Sequence, residues 1–93
     1  SDPNGTLVGQ ILHIDRFGNL IANIRSNSLP GKNVLIEVAG QRINGVSAYY
    51  AQKEGLMAVV GSSGYLEISL RNGSACDFLG IGVGHEIRVI SGA

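Results

Sequence analysis

Tryptophan is absent from this sequence, cysteine and methionine occur once each, and proline occurs only twice in 93 residues. A lone Cys76 excludes an internal disulfide and any metal site built from several cysteines, and it fits a reducing, cytoplasmic setting. Neither sign of charge dominates, since seven Lys and Arg meet seven Asp and Glu with no basic run and no acidic tail. This balance argues against the phosphate-tracking surface of a nucleic-acid binder. No apolar stretch approaches the roughly 20 residues that span a bilayer, and no signal-peptide pattern opens the chain. Neither nucleic acid nor membrane is therefore an expected partner. At 93 residues there is room for one core, which at this size buries roughly 60 to 65% of the unfolded surface. Residues 1–6 read as a linker or remnant, and 7–93 as one domain of a longer protein.

What the chain does have is glycine, 14 residues of it, set between short apolar runs in the manner of many brief strands. Seven strands are expected, over Leu7–Ile14, Leu20–Ile24, Asn33–Val38, Gln41–Val46, Leu56–Val60, Tyr65–Arg71 and Glu86–Ile90. Val34, Ile36 and Val38 alternate with Leu35 and Glu37, the period-two mark of one buried face. Ala39-Gly40 is a tight hairpin connection in which glycine takes positive φ. Ser74-Ala75-Cys76-Asp77 is a capping-box variant with Asp in place of Glu or Gln, and Gly80 supplies a stop, so one short helix is expected over Ser74–Leu79. The expected fold class is all-β, a small closed barrel of about seven mostly antiparallel strands with one short helix, because closure removes exposed edges. A sandwich is the alternative.

A catalytic set is not visible. His13 and His85 have no Ser, Cys or acid at a recognisable motif spacing, so neither signals a triad or a metal site. Gly80-Ile81-Gly82-Val83-Gly84 lacks the Lys-Ser or Lys-Thr of a phosphate loop and leads into a strand, which makes it a turn. The N-glycosylation patterns at Asn4 and Asn72 are read as chance, and Cys76 as an inert side chain.

Two segments concentrate polar groups where strands end. The first, IDRFGNLIANI over Ile14–Ile24, holds Asp15, Arg16, Phe17, Gly18 and Asn19 between apolar strands. An ordinary turn needs Asp, Gly and Asn for backbone reasons alone. Phe17 breaks that pattern, because an aromatic in a polar turn calls for burial by another part of the chain, a partner or a ligand. The second, GSSGYLEISLRNGSA over Gly61–Ala75, sets Ser62 and Ser63 before a strand, where hydroxyls and N–H groups can hold a carboxylate. A hairpin turn is the plain alternative.

Together, IDRFGNLIANI, the Ala48-Tyr49 step, SSGYLEIS over Ser62–Ser69 and Leu79-Gly80 resemble the C-terminal domain of the S-adenosyl-L-methionine hydroxide adenosyltransferases. These are relatives of the fluorinating and chlorinating enzymes that use the same substrate. The sequence departs from the family pattern at Ala22, Ala48, Arg71 and His85. The resemblance implies a parent enzyme that hydrolyses S-adenosyl-L-methionine to adenosine and L-methionine without metal or separate cofactor. The catalytic Asp, Arg and His of that enzyme belong to an N-terminal domain, leaving this chain with substrate binding and no catalytic residue. It further implies a homotrimer whose site lies between this barrel and the neighbouring subunit's N-terminal domain. By the same resemblance Asn19 pairs with the adenine edge, Phe17 and Tyr49 flank the base, Asp15 meets the methionine ammonium, and Ser62 and Ser63 hold its carboxylate. Backbone around Arg71 to Gly73 closes over the adenine. The competing readings are a free-standing barrel that binds a protein or an oligonucleotide, and a halogenase domain of the same family. Five aromatics and zero net charge count against the first, and Ser63, where halogenating relatives carry Arg, counts against the second.

Overall fold

The structure, a computed structural model, describes residues 5–31, 33–48 and 55–91. Seven strands are present: β1 (Thr6–Ile14), β2 (Leu20–Arg25), β3 (Val34–Val38), β4 (Gln41–Asn44), β5 (Leu56–Val60), β6 (Tyr65–Leu70) and β7 (Glu86–Ser91). They pair antiparallel in the order β4, β3, β7, β1, β2, β6, β5. The two ends of this row approach each other, because Ser47 makes a parallel bridge to Val59 and its N–H donates to the Ala58 carbonyl at 2.7 Å. The result is the nearly closed barrel that the strand count implied.

Alternation decides what fills it. On β3, Val34, Ile36 and Val38 point inward and are buried, as expected from their spacing, and Ile87 and Val89 of the neighbouring β7 meet them in the core. Ile11, Leu20, Ile24, Leu66 and Ile68 complete the interior from the other side, each contributing roughly 1.5–3 kcal/mol through burial. The β3–β4 hairpin turns on Ala39 at φ 51° and Gly40 at φ 78°, two consecutive left-handed residues that match the twist of the flanking strands.

The short helix α1 (Ala75–Leu79) has the caps its sequence predicts. Ser74 Oγ accepts from the Asp77 N–H at 3.1 Å, and Gly80 ends the helix at φ 67° with its N–H donating to the Cys76 carbonyl. Ala75 is fully buried and seats α1 on the barrel core. The run Gly80–Gly84 is a turn, tied to β1 by Gly84 N–H donating to the Ile11 carbonyl at 2.7 Å.

Three local features differ from the expectation. β4 stops at Asn44 and not Val46, since Gly45 takes φ 80° and turns its N–H onto the Val34 carbonyl. A 3₁₀ turn, Ser26–Ser28, follows β2. β1 carries a bulge, where pairing shifts from Ile11 with Ala22 to His13 with Ile21.

Candidate functional site

The loop between β1 and β2 is organised by one carboxylate. Asp15 Oδ1 accepts from the Phe17 N–H at 2.9 Å and the Asn19 N–H at 3.0 Å, and Oδ2 accepts from Asn19 Nδ2 at 3.0 Å. The backbone closes the same loop, with Asp15 N–H donating to the Asn19 carbonyl and Gly18 N–H to the Asp15 carbonyl. Gly18 is required here: it sits at φ 83°, and a Cβ would overlap the Ser74 side chain. Its carbonyl accepts from the Cys76 N–H at 2.9 Å, docking the loop on the start of α1.

This docking exposes Phe17. The residue is 64% exposed, with the Arg16 guanidinium over its ring at 5.0 Å from the centroid. No described residue buries the ring, so the demand for a ligand or partner raised by the sequence persists in the fold. Beside it opens a cleft of about 520 Å³ lined by Phe17, Asn19, Met57, Ser69, Leu70 and the turn Arg71–Gly73. The strand register brings these together, since Leu20 pairs with Ile68 and Met57 with Ser69. Both Met57 and Ser69 belong to the faces of β5 and β6 that point away from the core, yet both are buried. Among the described residues the Ser69 hydroxyl has no hydrogen-bond partner.

Of the residues singled out by sequence, Phe17, Asn19 and Arg71 share this cleft, and Asp15 stands directly behind Asn19. Tyr49 lies outside the described residues. Ser62 and Ser63 are exposed in the β5–β6 turn, at the opposite end of β6 from Arg71, and the strand between them, Tyr65–Leu70, is itself roughly 17 Å long at about 3.4 Å per residue. The structure does not bring them to the Asn19 cleft. Met57 and Ser69 are wall residues that sequence reasoning missed. Alternation could have placed Ser69 on the outer face, but only the register shows that Met57 lies opposite it. Among the described residues no three His, Cys, Asp or Glu side chains gather as metal ligands, and no helix is long and apolar enough to cross a membrane.

Comparison with known proteins bears on the family and the fold. The sequence matches the SAM hydroxide adenosyltransferase C-terminal domain over residues 9–88. It is 34% identical over 83 residues to an (R)-S-adenosyl-L-methionine hydrolase of Thermus thermophilus, covering 88% of this chain and 31% of the relative. A second (R)-S-adenosyl-L-methionine hydrolase, from Methanocaldococcus jannaschii, is 29% identical over 91 residues, covering 87% of this chain and 35% of the relative. The chain thus spans about a third of the length of the curated relatives it matches. A crystal structure of a conserved hypothetical protein from Thermus thermophilus superposes with a TM-score of 0.75 at 32% identity, over 89% of this chain and 34% of that one. An uncharacterized conserved protein from Thermotoga maritima, at TM-score 0.79, 24% identity and coverage of 96% and 37%, shares the fold. A family match over residues 9–88, on a seven-stranded barrel whose IDRFGN loop lines a cleft, identifies the chain as a C-terminal domain of the SAM hydroxide adenosyltransferase family.

Proposed function

We propose that this barrel is the substrate-binding domain of an enzyme that hydrolyses S-adenosyl-L-methionine to adenosine and L-methionine, and that the Asn19 cleft receives the adenine. The observation that carries the reading is a carboxamide held in one orientation on a cleft wall, beside an exposed aromatic ring. A carboxamide offers one donor and one acceptor, the complement of adenine's exocyclic amine and adjacent ring nitrogen. Phe17 gives the base a face to stack on, worth roughly 1 to 3 kcal/mol, with Tyr49 proposed for the other face. The Arg71–Gly73 turn forms the rim that closes over it.

The sulfonium is already a good leaving group, so the reaction chiefly needs its nucleophile placed in line and stripped of bulk water. Placement of the substrate is this domain's part. The nucleophile's activation is assigned to an N-terminal domain, contributed by a neighbouring subunit of a homotrimer, and no metal or cofactor is invoked. For the amino-acid end there are two proposed grips, Asp15 for the ammonium and the Ser62–Ser63 turn for the carboxylate. Both groups hang from one carbon, whereas the grips lie at opposite ends of β6, so a single copy uses one of them. The relative loss of L-methionine affinity in Asp15→Asn and in Ser62→Ala/Ser63→Ala identifies which.

The central test is Asn19→Ala in the intact protein. Removing one side of a buried pair costs about 1 to 3 kcal/mol, which weakens adenosine binding roughly 5- to 150-fold. Asn27→Ala, in the exposed Ser26–Ser28 turn, serves as control and binds as wild type. If calorimetry finds adenosine held equally tightly by Asn19→Ala, the loop is only a turn and the proposal fails.

A further inference from the structure

We infer that Asp15 is a positioning residue that sets purine specificity, by locking the Asn19 carboxamide in the orientation that accepts a 6-amino purine and rejects a 6-oxo purine. The inference rests on the adenine reading of the cleft and goes beyond it. A carboxamide turned by 180° exchanges its oxygen and its NH₂, so an unrestrained Asn reads a donor or an acceptor with equal ease. Asn19 is restrained. Its Nδ2 donates to Asp15 Oδ2 at 3.0 Å, and an ionised carboxylate only accepts, so turning the group over would set Asn19 Oδ1 against Asp15 Oδ2 with no proton between them.

Asp15 itself has no latitude to follow such a turn. Its Oδ1 is fixed by the backbone N–H groups of Phe17 and Asn19 at 2.9 and 3.0 Å, and the loop behind them is anchored on α1 through Gly18. Asn19 Oδ1 is therefore held on the side away from Asp15, with the second Nδ2 hydrogen beside it. An acceptor in that place meets the exocyclic amine of adenine. Against a 6-oxo purine such as inosine the same oxygen faces another oxygen, and the mismatch of one such pair is worth roughly 5- to 150-fold in affinity.

The test is Asp15→Asn in the intact protein, with adenosine and inosine affinities measured by calorimetry. The replacement keeps an oxygen for the two backbone N–H groups and puts an NH₂ where Oδ2 was. That NH₂ pairs with Asn19 Oδ1, turns the carboxamide over and narrows the adenosine-over-inosine preference by about 5-fold or more. A merely structural role would lower both affinities together and leave their ratio alone. If Asn19→Ala weakens adenosine binding but Asp15→Asn leaves the ratio unchanged, the lock is refuted while the adenine reading stands. If Asn19→Ala has no effect, both fall. Should Asp15→Asn fail to fold, the wild-type protein still decides the matter by NMR. Hydrogen exchange at Asn19 Nδ2 is expected to be at least about 10-fold slower than at the exposed Asn27 carboxamide, since a held donor exchanges only when it opens. Equal rates overturn the inference.

Discussion

Single residues carry strain and support in this barrel in ways that can be measured. Gly18 combines a left-handed backbone with a neighbour, Ser74, that leaves no space for a methyl group. Gly18→Ala is expected to cost about 2 kcal/mol or more, from left-handed strain of roughly 1–2 kcal/mol plus displacement of Ser74, read as a lower midpoint in urea unfolding. Ala39 shows the reverse case, an L-residue at φ 51° in the β3–β4 turn. Ala39→Asn, a residue that tolerates this region, should stabilise the domain by about 0.5–1 kcal/mol, visible in the same assay. At this scale the sequence was informative about part of the site. Asp15, Phe17 and Asn19 stood out because an aromatic among turn residues needs an explanation, and the fold joins two of them to Arg71 in one cleft. The position of Ser62 and Ser63 relative to that cleft was not legible, because a hydroxyl pair before a strand says nothing about how far the strand carries it from the next loop.

Among the elements, α1 supports the cleft without lining it. Ser74 caps it through Asp77 N–H, while Gly18 O accepts from Cys76 N–H, so the same helical turn holds the IDRFGN loop. Ser74→Ala removes the cap at a cost of about 1 kcal/mol. Hydrogen exchange should then quicken at Asp77, and at Cys76 if helix and loop open together, with the β3–β7 amides unchanged. Strand alternation, the Ala39-Gly40 hairpin and the capping box were legible because each is a local rule acting over two to six residues. What was not legible is non-local. The early end of β4 at Gly45, the bulge opposite Ala22 and the parallel Ser47–Val59 bridge all depend on which strand lies alongside, and no stretch of sequence states its own neighbour. Burial of Met57 and Ser69 on the outer face belongs to the same class.

On the scale of the molecule, the expectation is division of labour. The 93-residue domain by itself should bind nucleoside weakly and leave S-adenosyl-L-methionine intact over hours, because placement without a nucleophile's activation leaves the chemical barrier standing. Chromatographic detection of adenosine and methionine in equal amounts from the pure domain would contradict that. β1 and β7 are hydrogen-bonded neighbours, Thr6 faces Ile90, and the Ser91 hydroxyl donates to the Gly5 carbonyl at 3.3 Å. The start of β1 and the end of β7 are therefore side by side on one seam. A few glycines could join them, and new termini could be opened at the exposed Pro30 and Gly31. Such a circular permutant would keep all seven strands in the same neighbourhood, so the architecture can be threaded in a different chain order without altering the cleft beside Asn19.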